Sequence, residues 1–277
     1  MKSYRLSCLL ASLLLLPALP IAAQKCVPLK DRSENNLVFK GGEKIVFTLH
    51  YKWGVVDADV ATATVRLDTT VINGKKVFHG SLRGNTQKIY QKIFTVKEDF
   101  DTWFTREGLR PVKATRSCKE GNYVCTNLYY YRDKYIDAKI NSSKRGEFTV
   151  NLPLDDCTYD IPLLFYIIRN MDDGSLRPGG RYPMTYACDH HVKTLQFTYI
   201  GKENRKVPGV GTVRCRKFAF EVAKGELFSG DSDLYIWLSD DGNRIPVWFS
   251  APLKVGQVQG RLKSWDNLKN PFSSIIK

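Results

Sequence analysis

Along most of the chain, apolar and polar residues alternate with the two-residue period of half-buried strands. In Glu43 to Trp53, the residues Ile45, Phe47, Leu49, Tyr51 and Trp53 fall on one face. From Val60 to Leu67, Ala61, Ala63, Val65 and Leu67 oppose Thr62, Thr64 and Arg66. Asn73-Gly74 is a strong hairpin signal joining 68–72 to 75–82. Further strands are expected near 99–105, 112–118, 123–132, 135–141, 147–151, 182–187, 193–201, 213–222, 233–239, 245–252 and 258–265, with a short helix at 86–94. Turns are expected at 207–211 and 240–243.

Asp160 to Met171 breaks the pattern. Asp160 can cap a helix, and Pro162 is tolerated in a first turn, where its missing N–H has no helical partner. Leu163 to Ile168 are apolar on every face, so the helix must be buried on more than one side. The β-branched pair Ile167-Ile168 leaves a strand as the alternative. The fold class that follows is mainly β: a large curved antiparallel sheet or half-open β-barrel, with one buried apolar helix at about 160–171 across its concave face. No linker rich in Pro, Gly or Ser divides the chain. The expected organisation is a signal peptide at 1–23, an N-terminal extension at 24–39, one β-rich domain at 40–266 and a C-terminal tail at 267–277.

The N-terminus explains the first of these. Lys2 and Arg5 precede an apolar run from Cys8 to Leu16, and Ala22-Ala23 supplies small residues at a cleavage site. That run is too short to anchor in a bilayer, and no later stretch reaches about 18 apolar residues. Gln24 and Lys25 before Cys26 fit a lipoprotein site poorly, so the expected product is soluble, exported and periplasmic.

Export changes the meaning of the charge. The 277 residues carry 42 Lys+Arg against 28 Asp+Glu, a formal +14, which signal removal lowers by two. A basic chain suggests an anionic partner. Outside the cytoplasm nucleic acid is not expected, and the dispersed cations read first as a solvated surface. Lipid, a lipoprotein or another anionic envelope component is the expected partner class.

Six cysteines follow the signal, and export permits disulfides. With Gly121-Asn122 as a two-residue turn, Cys118 faces Cys125, close enough for a cross-strand bridge. Cys26, Cys157, Cys188 and Cys215 cannot be paired from sequence. No cofactor motif occurs: there is no phosphate-cradling glycine loop, no H-E-x-x-H and no G-x-S-x-G. His190-His191 could share a metal only in a loop, because strand neighbours point to opposite faces. Asp240-Asp241-Gly242-Asn243 lacks the ligand spacing of a calcium loop and reads as a hairpin turn. Asp99/Asp101 and Asp231/Asp233 are the carboxylate pairs a hydrolase would use, although solvated strand edges show the same spacing. Trp53, Trp103, Trp237, Trp248 and Trp265 all fall on expected strands. They either fill a barrel or line an apolar pocket.

Four blocks carry a family resemblance: 42–54, 98–111 with Trp103 and Pro111, 160–179, and above all Leu234-Tyr235-Ile236-Trp237-Leu238-Ser239-Asp240-Asp241-Gly242-Asn243-Arg244-Ile245-Pro246-Val247. Over about 40–266 the chain resembles an exported Gram-negative (Bacteroidetes-like) domain-of-unknown-function family. More remotely, the expected architecture is similar to outer-membrane lipoprotein carriers, whose half-open barrels hold acyl chains beneath a helical lid. The resemblance implies an envelope protein and no established activity. The leading expectation is a non-enzymatic binder of a lipid or other amphiphilic envelope component, with ligand contacts from Trp53, Trp103, Leu164, Phe165, Ile168, Trp237 and Trp248. A structural or interaction module of envelope assembly is the alternative, and an envelope hydrolase the third reading.

Overall fold

The computed structural model describes residues 26–91, 95–221, 234–253 and 255–276. The signal peptide, Phe94 and the pair Asp231/Asp233 lie outside them. Eight strands run first: β1 (Glu43–Trp53), β2 (Val56–Ile72), β3 (Lys75–Thr86), β4 (Val96–Thr105), β5 (Pro111–Glu120), β6 (Tyr123–Tyr131), β7 (Tyr135–Ser142) and β8 (Gly146–Pro153). Then come β9 (Thr158–Asp160), helix α1 (Ile161–Arg169), β10 (Arg181–Cys188), β11 (His191–Val207), β12 (Gly211–Phe220), β13 (Leu234–Ser239), β14 (Pro246–Pro252), β15 (Gln257–Asp266) and β16 (Ile275–Ile276).

All strands join one sheet, in the order β8 back to β1, then β15 back to β9, with β16 beside β12. Every pairing is antiparallel except β9 with β10. Asn73 and Gly74 both take positive φ, as the expected hairpin requires, and Ile72 pairs with Lys75 across it. The pairing of β1 with β2 slips between Leu49 and His50. Burial on the apolar face of β1 fades there: Ile45 and Phe47 are buried, while Trp53 is 56 % exposed. In the region expected to be helical at 86–94, Thr86 ends β3 and the described residues 88–91 form turns instead.

The apolar segment at 160–171 is a helix, ending two residues earlier than expected. Asp160 caps it by accepting from Leu163 N at 2.9 Å. The helix lies within the curved sheet, packed on β3, β4, β9 and β10. Tyr166 meets the rings of Phe39 and Phe104 at 4.9 and 5.4 Å, and its hydroxyl donates to Arg66 O on β2. Gly80 makes room for it: a Cβ there would stand 3.0 Å from the Tyr166 ring and 2.9 Å from Thr102.

The chain before β1 and after β15 belongs to the same packed body. Val27, Leu37, Val38 and Phe39 are buried in the main core, and Cys26 is disulfide-bonded to Cys157. Leu29 bridges to Met171. Asn243 Nδ2 donates to the carbonyls of Asn270 and Pro271, and Ser274 is fully buried.

Among the described residues, the two ends of the sheet are not paired with each other. Instead, the β10–β11 hairpin folds over the inner face of β5–β8, where Ala187 and Val192 join a second core with Ala114, Tyr129, Ile136, Ala138, Ile140 and Leu152. The body is therefore an open, rolled sheet. None of its described helices is long and apolar enough to cross a membrane.

Candidate functional site

The interior is occupied by protein. Leu163, Tyr166, Ile167 and Ile168 of α1, together with Phe39, Phe78 and Phe104, are all buried there. Of the gaps between helix and sheet, one of about 10 Å³ separates Asp160 to Pro162 from Phe100, Arg116 and Cys188. It is too small for an acyl chain. Ile168 is buried in the core, and Leu164 and Phe165, half-buried, pack against it.

The aromatic candidates are also dispersed. Trp53 stands exposed at the β1–β2 turn. On β4, Thr102 and Phe104 face inward and are buried, so Trp103 points out, stacked on His79 at 4.6 Å. Trp237 and Trp248 are buried and directly paired across β13 and β14. Arg205 lies over both rings at 4.5 and 4.2 Å, and Trp237 Nε1 donates to Glu203.

A larger concavity lies outside. The outward positions of β4–β8 form a trough of about 450 Å³, lined by Asp99, Asp101, Lys113, Thr115, Ser117, Thr126, Leu128, Lys139, Asn141 and Glu147. Strand alternation explains this composition, since the intervening Ala114, Tyr129, Ala138 and Ile140 are spent on the second core. Lys113 Nζ lies 4.7 Å from the Trp103 ring and 5.9 Å from that of Tyr130, which gives the trough an aromatic margin. Sequence reasoning singled out Asp99, Asp101 and Trp103 here and missed the rest. The signal was present as polar residues recurring at every second position of five successive expected strands.

Both carboxylates are engaged. Asp101 accepts from His79 Nε2 at 2.8 Å and from Arg83 Nη2 through both oxygens at 2.7 Å. Burial pushes its carboxyl up, but the bonds from His79 and Arg83 outweigh that and hold it below the usual range. A carboxyl held ionised is a poor general acid near neutrality. Asp99 lies 3.2 Å from Lys97 and 3.6 Å from Arg83. Among the described residues, no Ser, Thr or Cys is hydrogen-bonded to His79.

On the inner side of the same strands, Arg116 holds the β10–β11 turn. It bonds Glu98, Glu120 and Asp189 within 3.1 Å, while Asn127 Nδ2 and the Tyr129 hydroxyl donate to Asp189. Burial and the neighbouring Glu98 push Glu120 up to about 7. Glu98, Cys118 and Glu120 approach one another as metal ligands would, but Cys118 is bridged to Cys125, as the register implied, and has no thiolate to offer. Cys188 and Cys215 are free, and burial pushes their thiols up to about 11 and 12. The rings of His190 and His191 lie 3.8 Å apart with their planes tilted by 43°, and His190 also contacts Arg145 and Phe148.

The Asp240–Asn243 segment is a structural turn. Asp241 Oδ1 accepts from Ser239 Oγ, Asn243 N and Arg244 N, and Oδ2 from Ser274 Oγ. Arg244, at φ 50°, reaches back to the end of α1, donating to Arg169 O, Met171 O and Asp173.

A rolled β-sheet with a filled interior and a polar outer trough defines a β-barrel-like protein. The chain belongs to the family described as "Protein of unknown function (DUF3108)", whose model matches residues 46–263. It is similar in structure to a protein from Brucella abortus titled as a beta-barrel-like protein of domain of unknown function DUF1849, at TM-score 0.51 and 12 % identity, covering 83 % of this chain and 100 % of that one. At that identity the likeness concerns the fold alone. No curated protein matches the chain.

Proposed function

We propose that this is an exported, periplasmic, non-enzymatic binding protein that meets an amphiphilic envelope component by its polar headgroup, on the outside of the sheet. The trough carries this reading. It offers hydroxyls, an amide and charges of both signs along five strands beside Trp103, the mixture that recognises a sugar-bearing headgroup. A carrier-like site for acyl chains inside the barrel has no support in the packing, because α1 and the segment before β1 occupy that space. The non-enzymatic reading rests on Asp101, whose carboxylate is tied to His79 and Arg83. Purified lipopolysaccharide, and the oligosaccharide released from it, are suitable probes in equilibrium binding measurements. Lys113→Ala with Asn141→Ala should weaken binding of both by at least about tenfold, the equivalent of one or two lost polar contacts. Binding unchanged by these substitutions would remove the trough from consideration. Turnover of either probe would overturn the non-enzymatic reading.

A further inference from the structure

One end of the rolled sheet carries an apolar protrusion. The β1–β2 turn presents Trp53, 56 % exposed, a fully exposed Val55 and Val56 at 39 %; beside it, Val255 in the β14–β15 turn is 50 % exposed. The two turns are held together. The Tyr51 hydroxyl donates to Val255 O at 2.9 Å, and Gly256 lies so close that a Cβ there would stand 2.5 Å from Lys52 O and 2.8 Å from Trp53 Cβ. Four large apolar side chains therefore share one tip. At the same end, Ile89 in the β3–β4 connection is 74 % exposed. The hairpins at Asn73-Gly74 and Gly121-Asn122 turn on polar residues, so Trp53-Gly54-Val55-Val56 is not what a solvated turn requires. A Trp among exposed valines is the side-chain set that partitions into the boundary between headgroups and acyl chains.

Charge selects the occupant. The formal charge of +14 becomes +12 once Lys2 and Arg5 leave with the signal peptide, and Lys52 and Lys88, next to Trp53 and Ile89 in sequence, are exposed. Asp57 and Asp59 lie on His50 at 2.6 and 2.8 Å, and Lys52 Nζ is 3.9 Å from Asp57, so the charges around the turn largely balance and the net positive charge belongs to the chain as a whole. An apolar tip on a chain of net positive charge matches an anionic bilayer.

We infer that the β1–β2 and β14–β15 turns form a docking tip for anionic lipid bilayers, with Trp53, Val55, Val56 and Val255 entering the interface. This does not depend on the trough binding anything. The test is co-sedimentation of the mature protein with vesicles of phosphatidylethanolamine and phosphatidylglycerol, and with vesicles of phosphatidylcholine alone. The wild type should sediment with the anionic vesicles and much less with the neutral ones. Val55→Ser with Val56→Ser and Val255→Ser should lower the partition coefficient at least about tenfold. These side chains are exposed, so thermal unfolding should be unchanged. Val71→Ser, equally exposed at the opposite end of β2, should leave partitioning intact. Failure of the wild type to sediment, equal sedimentation with both lipids, or equal losses from V71S and the tip variant would each overturn the inference. A wild-type dimer in sedimentation velocity that the tip variant abolishes would assign the patch to a second copy of the chain instead.

Discussion

Arg169 meets Glu43 through two parallel bonds, Nη1 to Oε1 at 2.6 Å and Nη2 to Oε2 at 2.8 Å, with neither side chain more than 2 % exposed. Arg169 ends α1 and Glu43 begins β1, so one ion pair fixes the helix against the strand at the middle of the sheet order. Arg169 Nε also donates to Asn243 O, which leaves little of the guanidinium unsatisfied.

Removing one partner leaves a buried charge alone. Arg169→Met should therefore cost about 3–5 kcal/mol in urea unfolding, followed by tryptophan fluorescence. Adding Glu43→Leu to that variant should recover part of the loss, because the stranded carboxylate goes with it. A double variant less stable than the single one would contradict this account.

Asp160 makes stability depend on pH. Its carboxyl is pushed up to about 7 by burial, against the pull of bonds from Thr102 and from Leu163 N. The folded chain then keeps a proton that the unfolded chain releases near pH 4, so this group's contribution declines as pH rises from about 4 to 7 and is level above. The substitution Asp160→Asn keeps a helix-capping side chain but removes the titrating group. The variant should show a shallower fall in unfolding free energy across that window. Glu120, also pushed up to about 7, contributes a fall of the same sign in both proteins. Identical slopes for variant and wild type would mean that Asp160 does not titrate there.

The two disulfides should differ in worth. Cys26 and Cys157 are 131 residues apart and Cys118 and Cys125 only seven, so chain entropy assigns about 5 kcal/mol to the first and about 2.5 kcal/mol to the second. Paired Cys→Ser variants compared by chemical denaturation measure the order. The Cys26–Cys157 variant should also become more sensitive to proteolysis near residues 26–39, which that bridge ties to the start of β9.

Arg244 closes the far end of the helix. Arg244→Ala strips donors from Arg169 O and Met171 O and breaks the contact with Asp173, which should lower stability by about 1–3 kcal/mol. Trough binding should be unaffected, since Arg244 lies on another part of the sheet. A loss of binding without loss of stability would require a different role for this turn.

Much of the fold was legible because it rests on local chemistry: the period-two faces of β1 and β2, the Asn73-Gly74 hairpin, the Asp160 cap, and the facing of Cys118 and Cys125. What was not legible depends on distant partners. Nothing near Val27 or Phe39 says that they pack against α1, and nothing near Asp189 says that its turn will be held by Arg116. The surroundings of the tryptophans were not legible for a related reason. Alternation tells which residues share a face, but which face becomes the inside is decided by the roll of the whole sheet, and that places Trp103 outside and Trp53 beyond the core. The Trp237–Pro246 block, most distinctive in sequence, holds the end of the helix through Asn243 and Arg244 and stands apart from the trough.

The strand order has a consequence for how the chain comes together. From β8 back to β1, and again from β15 back to β10, each strand neighbours its predecessor in sequence; the two ribbons are joined by hydrogen bonds at β1 with β15, where Lys44 meets Asp266. Each ribbon can assemble from short-range hairpins, but that seam must wait until almost the entire polypeptide has been delivered. A nascent chain threaded out from its N-terminus would hold β1 as a bare edge for most of its emergence.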